Sequence, residues 1–345
     1  MPAAVAEIRL RDALHAARRR NASDLHLCAS LPPIARIDGR LERLPGSALD
    51  AGELDVMAGA IAAGHANPLD RGAEFSAAWQ DPDAGLLRAH VFRAAGSPSI
   101  AFRLLRDRTP ELESLDVPPV VPAFAQRDHG LVLFAGPTGS GKSTTMAALV
   151  SRINHTAARR IITLEDPVEY RHESARSVVS QRQVGVDTPS LSHALRGALR
   201  SDPDVIVIGE MRDPDSIAGA LTAAETGHLV LASLHTSDAG KTVDRIVDAF
   251  ASGGRDQIRT QVARVLVGVV CQQLVRRIGG GRLAVFEVLV ATDAVRALIR
   301  DNKVHQLKNA IATGRQFGMQ TLESHVAALV DAGEIEPPSM DPETA

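Results

Sequence analysis

The sequence has little of what suits a disulfide scaffold, a nucleic-acid surface or a membrane span. Among 345 residues there are two cysteines, Cys28 and Cys271, which favours a reducing compartment and argues against a cysteine zinc site. Aromatic residues make up 3% of the chain, so few side chains are available to stack on single-stranded bases. A net charge of −3 provides no basic surface for nucleic acid.

Long hydrophobic runs are also missing. No uncharged apolar stretch reaches about 18 residues, the length that a membrane span needs. The first residues carry charges by Glu7 and lack the apolar core of a signal peptide. We therefore expect a cytoplasmic protein whose membrane role, if it has one, comes through a protein partner.

The length predicts two domains, because one hydrophobic core rarely serves so long a chain. The first is predicted to be α+β: Asp38-Gly39 is flanked by short strand patterns and indicates a tight hairpin. Further on, apolar runs alternate with helical patterns, which predicts a parallel sheet with helices on both faces. Its candidate strands are Leu131–Ala135, Ile161–Leu164, Val205–Ile208 and Leu229–Ser233. The predicted regions are an N-terminal domain (1–105), a proline-rich linker (106–123), an α/β core (124–280) and a helical C-terminal region (281–345).

The segment Gly136–Ser143 reads G-P-T-G-S-G-K-S and matches the phosphate-binding pattern G-x-x-x-x-G-K-[ST]. It follows a predicted strand and precedes a predicted helix, the order in which backbone N–H groups and the helix dipole converge on an anion. We expect ATP to bind here, with Lys142 at the β- and γ-phosphates and Ser143 on Mg²⁺. The expected binding residues are Gly136, Pro137, Thr138, Gly139, Ser140, Gly141, Lys142, Ser143 and Thr144.

Three further segments place acidic and histidine residues beside apolar strands. Glu165 and Glu169 follow one strand, and carboxylates there could hold Mg²⁺ or polarise water, although a surface turn is the alternative. Glu210 follows the strand Val205–Ile208 and is the candidate magnesium carboxylate. His228 and His235 bracket a third strand. They could sense a γ-phosphate, or each could be an ordinary core or surface histidine.

These motifs together resemble the type II/type IV secretion-system ATPase superfamily, and within it the type IV pilus twitching-motility (retraction) ATPases. The run 199–213 matches the pattern L-R-x-x-P-D, an apolar strand and G-E-M-R-D, and the similarity extends over residues 8–335. The resemblance implies a RecA-like P-loop core and a smaller PAS-like N-terminal domain. It also implies a hexameric motor ATPase that uses ATP and Mg²⁺ to retract pili.

The resemblance assigns roles by position. Glu169 would be the general base, supported by Glu165, and Glu210 the Walker B acid and a metal ligand together with Ser143. His235 and His228 would lie near the γ-phosphate. Arg88 and Arg103, from the N-terminal domain, would stabilise the developing phosphate charge. The implied partners are other copies of the chain and an inner-membrane pilus platform protein, with a paralogous retraction ATPase left open and no nucleic acid expected.

Other functions remain open at this stage. Pilus-assembly or type II secretion ATPases share the superfamily, an accessory retraction ATPase would need a partner motor, and a nucleic-acid translocase or a non-hydrolysing adaptor would belong to other classes. The segment Ala294–Asp301 reads A-V-R-A-L-I-R-D, where the retraction family has A-I-R-N-L-I-R-E. In contrast, the relatives that assemble pili or drive type II secretion usually have an extra N-terminal domain and often a four-cysteine zinc motif. We expect neither here, which favours retraction.

Overall fold

Two units make up the chain, Met1–Asp107 and Arg108–Ala345. The computed structural model describes residues 2–62, 74–81, 83–104 and 109–337. The predicted domain boundary at residue 105 and the first three linker residues, 106–108, lie outside the described residues. In the described ranges, no helix has the length and apolar character needed to cross a bilayer.

The first unit is an antiparallel sheet with two helices. Its described strands have the order β3-β2-β1-β6-β5-β4. The strands are β1 (Asp24–Cys28), β2 (Ile34–Ile37), β3 (Arg40–Arg43), β4 (Phe75–Asp81), β5 (Gly85–Ala94) and β6 (Ser97–Leu104), and the helices are α1 (Pro2–Arg19) and α2 (Ala51–Ile61). The arrangement confirms the predicted α+β class for the first unit.

Local rules explain the hairpin between β2 and β3. Ile37 pairs with Arg40 across a two-residue turn, and both turn residues have positive φ, 46° at Asp38 and 84° at Gly39. Such a turn has the twist of the strands it connects, which is why Asp-Gly predicts it. The core of this unit lies between the sheet and both helices, where Leu14 and Met57 are fully buried beside Leu25.

The second unit is a twisted, mostly parallel sheet. Its described strands have the order β13-β12-β7-β11-β10-β8-β9, and β13 alone among them pairs antiparallel. The strands are β7 (Gly130–Ala135), β8 (Arg160–Glu165), β9 (Val178–Gln183), β10 (Val205–Ile208), β11 (Leu229–Leu234), β12 (Leu266–Arg276) and β13 (Arg282–Val290). The α/β fold class and the four candidate strands are therefore confirmed.

Helices cover both faces of this sheet. They are α3 (Val120–Ala123), α4 (Lys142–Thr156), α5 (Leu191–Ala198), α6 (Pro214–Glu225), α7 (Ala239–Asp248), α8 (Arg255–Val265), α9 (Asp293–Arg300), α10 (Leu307–Thr313) and α11 (Leu322–Asp331). Single 3₁₀ turns lie at Leu112–Leu115, Phe124–Gln126, Ser252–Gly254, Val304–Gln306 and Arg315–Phe317. Along β7, Leu131 and Leu133 belong to one core, and Val132 and Phe134 belong to the core on the other face. A strand buried on both sides reads as a continuous apolar run, which is what the sequence shows.

Two predicted regions differ from the structure. The proline-rich segment predicted as a linker contributes Leu112 and Val121 to the core beside α4, because its apolar side chains find a hydrophobic face there. The C-terminal region predicted to be helical begins with the strand β13, which pairs with β12 over nine residues. Between Asp293 and Asp331 the region forms the helices α9, α10 and α11.

Candidate active site

Parallel strands bring the functional segments to one edge of the sheet. The neighbours β7, β11, β10 and β8 run parallel, so their carboxyl ends lie side by side. The glycine-rich loop follows β7, His235 follows β11, Glu210 comes shortly after β10, and Glu165 ends β8. In open α/β sheets this carboxyl edge is where ligands bind.

The loop between β7 and α4 adopts a conformation that requires glycine. Gly136, Gly139 and Gly141 have φ values of 147°, 78° and 92°. A Cβ at Gly136 would lie 2.2 Å from the main-chain oxygen of Gln272, so no side chain fits. The loop leads directly into the first turn of α4, where N–H groups lack intrahelical acceptors and attract an anion.

Buried Ser140 adds a polar group to this loop. Its Oγ has no hydrogen-bond partner among the described residues, and buried hydroxyls usually have one. Together with the N-terminus of α4, it fits a loop that closes around phosphate oxygens. Ser143 in the same first turn is half-buried and supplies a hydroxyl of the type that binds Mg²⁺ in P-loop proteins.

The Lys142 ammonium group lies across the loop. Its Nζ donates to the carbonyl oxygens of Gly136 at 2.7 Å and Pro137 at 2.9 Å. Burial lowers the pKa of Lys142, while the carboxylates of Glu210 and Glu169 act in the opposite direction. Both predicted carboxylates are therefore close enough to influence the P-loop lysine.

His235 lies between Lys142 and Glu210. Its Nδ1 lies 3.5 Å from Lys142 Nζ, which can only donate, and its Nε2 lies 3.1 Å from Glu210 Oε2. A neutral imidazole protonated at Nε2 satisfies both contacts. Glu210 also accepts from Arg212 Nη2 at 2.7 Å. Burial would raise the pKa of Glu210, but Arg212 and His235 lower it overall, which keeps the carboxylate ionised as a metal ligand requires.

Glu165 is held by hydrogen bonds from its own strand and its neighbour. Its Oε1 accepts from Thr163 Oγ1 at 2.6 Å and from Gln181 Nε2 at 3.1 Å. Burial raises the pKa of Glu165 despite these donors. Gln181 Nε2 also donates to the Tyr170 carbonyl at 2.7 Å, and Tyr170 Oη lies 2.7 Å from Thr144 Oγ1 in α4. The acidic segment, residues 165–177, is thus hydrogen-bonded to both β9 and α4.

Asn154, near the end of α4, makes hydrogen bonds to the later residues of the acidic segment. Its Nδ2 donates to the Glu173 carbonyl at 2.7 Å, and its Oδ1 accepts from the Ala175 N–H at 3.0 Å. The side chain is 1% exposed. Asn154 therefore fixes the path of the chain at Glu173 and Ala175.

The two histidines around β11 lie at opposite ends of it. Leu229 pairs with Gly130 and Leu234 with Ala135, so His235 follows the end beside the P-loop and His228 precedes the other end. Six strand residues span about 20 Å. His228 Nδ1 instead donates to the Ala223 carbonyl at 2.9 Å. The prediction that His228 lies near the γ-phosphate is therefore wrong for the P-loop of its own chain.

In the first unit, Arg88 and Arg103 are direct partners across β5 and β6. Directly paired residues share one face of a sheet, and Leu87 and Phe102, next to them in sequence, are buried on the other face. Two like charges in this position repel each other. Arg103 Nε lies 3.4 Å from Asp24 Oδ1, which offsets part of that repulsion.

Several residues of the site were not predicted. Gln181, Asn154 and Arg212 act through pairings that the sequence does not specify. Gln272 did leave a signal, because it and Gln273 interrupt the apolar strand β12 with two amides. Its Oε1 accepts from Thr145 Oγ1 at 2.9 Å beside the P-loop.

Comparison with known proteins agrees with this geometry. The family described as type II/IV secretion system protein matches residues 87–280. The chain is 41% identical over 318 residues to the type IV pilus retraction ATPase PilT of Pseudomonas aeruginosa, across 92% of each chain. It is 41% identical over 307 residues to a twitching motility protein of Neisseria gonorrhoeae, across 88% of this chain and 82% of the other. A crystal structure of the pilus retraction motor PilT with bound ADP matches with a TM-score of 0.83 at 39% identity, across 95% of this chain and 96% of the other.

Proposed function

Because the chain belongs to the type II/IV secretion system protein family, we propose that it is a magnesium-dependent ATPase that drives retraction of type IV pili. The observation that carries the proposal is the convergence of Lys142, Glu210 and His235 at the carboxyl edge of the sheet. The similarity to PilT over nearly the whole chain supports the retraction role.

The described residues fit the binding of ATP with Mg²⁺. The P-loop N–H groups and Lys142 would hold the phosphates, and Ser143 with Glu210 would hold the metal, directly or through water. When bound, Mg²⁺ neutralises charge that develops on the transferred phosphoryl group. His235 contacts both Lys142 and Glu210, so it would respond to a change at the γ-phosphate through either residue.

Glu169 is the better candidate for the base that activates water. The Oε1 atom of Glu165 already accepts hydrogen bonds from Thr163 and Gln181, so part of that carboxylate is occupied. Glu169 is half-buried, and its charge acts on Lys142. Glu165 would then position Glu169, because its carboxylate accepts a hydrogen bond from the Glu169 backbone N–H.

Arg88 and Arg103 would supply positive charge to the phosphates during hydrolysis. Their placement opposite each other on the polar face of the first sheet supports this, since such a pair gains from a shared anion. A homohexamer would pass the changes that accompany nucleotide binding and release to an inner-membrane platform protein. Assembly of pili or type II secretion is the alternative role within the same family.

ATP turnover with and without Mg²⁺ tests the enzymatic part. We expect Glu169→Gln to lower kcat at least about hundredfold while leaving ATP affinity within a few-fold, because removal of a general base affects the chemical step. Glu173→Gln, an exposed carboxylate in the same segment, is the matched control and should turn over as the wild type does. A wild-type protein that hydrolyses no ATP, indistinguishable from Glu169→Gln, would refute the proposal.

The phenotype of the cell separates retraction from assembly. Deletion of the gene should abolish twitching while surface pili remain or increase, because pili would still be built. Complementation with Glu169→Gln should fail in the same way, and complementation with Glu173→Gln should succeed. Loss of the pili themselves would instead assign the protein to assembly.

A further inference from the structure

Gln272 is a buried polar residue to which the proposed hydrolysis assigns no role. It is 3% exposed, and its Oε1 accepts from Thr145 Oγ1 at 2.9 Å, on a residue that is 1% exposed. Its Nε2 faces the end of the P-loop, where a Cβ at Gly141 would lie 2.6 Å from this nitrogen. The amide therefore contacts the last loop glycine and the first turn of α4 together.

The main-chain carbonyl of Gln272 lies against Gly136, the first residue of the loop. A Cβ at Gly136 would lie 2.2 Å from the Gln272 carbonyl oxygen. The ladder between β12 and β7 ends at the pair Cys271 and Ala135, so residue 272 lies where the loop leaves the sheet. One residue thus touches both Gly136 and Gly141.

The neighbouring strand fixes the direction in which Gln272 presents its backbone. Gln272 pairs with Phe286 on β13. The Phe286 N–H donates to His325 Nδ1, and its carbonyl accepts from Gln320 Nε2, so both groups point away from β12. In an antiparallel pair of this type, the backbone groups of both partners point outward. Those of Gln272 therefore point to the P-loop.

We propose that Gln272 is a positioning residue for the nucleotide phosphates. Its carbonyl packs against Gly136, and its amide packs against Gly141 and accepts from Thr145, so it limits the distance between the ends of the loop. That distance directs the loop N–H groups and Lys142 at the phosphates. The inference rests on the proposed function, since it concerns the same nucleotide site.

Replacing Gln272 should weaken nucleotide binding more than folding. Without the amide, Thr145 Oγ1 can bond back to the Gly141 carbonyl within the helix, so the hydroxyl need not stay unpaired. The loop N–H groups that bind phosphate have no such substitute, and misaligning one charge-assisted bond costs about tenfold in affinity. A positioning role and a structural role therefore predict different results.

The experiment measures Kd for Mg-ATP and Mg-ADP together with thermal unfolding without nucleotide. We expect Gln272→Leu to raise both Kd values at least about tenfold. Gln273→Leu is the matched control, because the next strand residue faces the other side of the sheet, and its Kd values should stay within twofold of the wild type. Thr145→Val removes the same hydrogen bond from the other partner and serves if Gln272→Leu fails to fold.

The double variant Thr145→Val/Gln272→Leu decides between the two roles. Replacing both buried partners by apolar groups of similar shape should restore thermal stability close to that of the wild type. If Gln272 positions the loop, nucleotide affinity stays low despite the restored stability. Recovery of affinity along with stability, or a Gln272→Leu variant that binds as the wild type does, would overturn the inference. Absence of binding by the wild type would refute the proposed function itself.

Discussion

The titration of His172, in the acidic segment, makes the free energy of unfolding depend on pH. His172 lies between Glu169 and β9, and its backbone N–H donates to Gln181 Oε1 at 2.8 Å. Burial, with a smaller contribution from the charge of His155, lowers the pKa of His172 from 6.5 to about 4. The folded protein therefore binds this proton less readily than the unfolded chain does.

The sign and size of the effect follow from that difference. Because the folded pKa lies below the unfolded one, the unfolded chain takes up the proton first as the pH falls. The stability is fully present above pH 6.5 and is lost as the pH falls towards 4. A pKa change from 6.5 to about 4 amounts to about 2 kcal/mol lost at pH 5 and about 3 kcal/mol at pH 4.

Equilibrium unfolding in urea at pH 7 and pH 5 measures this loss. Tyr170 is the single tyrosine of the chain and lies in the same segment, so its near-ultraviolet signal reports on this unit. His172→Gln removes the titrating group, and its free energy of unfolding should fall by about 2 kcal/mol less between the two pH values than that of the wild type. His129→Gln, an exposed histidine, is the control and should follow the wild type. Equal pH dependence of the wild type and His172→Gln would refute the reasoning.

Two further predictions concern residues that the structure relocates or reveals. Asn154→Ala removes two hydrogen bonds from a buried site and should lower the free energy of unfolding by about 2–4 kcal/mol, measured by urea unfolding at pH 7; a loss below about 0.5 kcal/mol would contradict the role given to Asn154. His235→Ala should lower ATP turnover at least about tenfold, whereas His228→Ala should leave it within about threefold, and equal losses in a steady-state ATPase assay would contradict the placement of the two histidines.

Features encoded by neighbouring residues were predictable from the sequence. The strand, glycine-rich loop and helix around Lys142 lie between Gly130 and Thr156, and each part obeys a local rule. The hairpin at Asp38-Gly39 is predictable for the same reason, since its turn type depends on two residues. The positions of β7, β8, β10 and β11 followed from runs of apolar residues that a doubly covered sheet requires.

Features that depend on pairing between distant segments were not predictable from the sequence. The strand β9 has mixed polarity, because it is the described edge of the sheet beside β8, and no apolar run marks it. The strands β12 and β13 lie more than 100 residues further along the chain than the loop beside which they pair. Gln181 and Gln272 gain their roles only through these pairings, although an amide pair within an apolar strand was a visible sign.

The error at His228 shows how strand geometry limits motif reasoning. Two histidines seven residues apart on either side of a strand necessarily lie at its opposite ends, because each strand residue advances the chain by about 3.3 Å. The family motif groups them in sequence, but only the one at the carboxyl end meets the P-loop of the same chain. The direction of β11, inferred from a parallel sheet, was enough to separate His235 from His228.

The segment Ala294–Asp301 departs from the retraction family at three positions. In α9, Val295 and Ile299 are buried, so the change at 295 keeps an apolar side chain where the core needs one. Arg296 Nη1 donates to the carbonyls of Ala263 at 2.6 Å and Arg264 at 2.7 Å, near the end of α8. These carbonyls belong to the last turn of α8, which leads into β12. The three departures therefore leave Arg296 and its contact with the end of α8 in place.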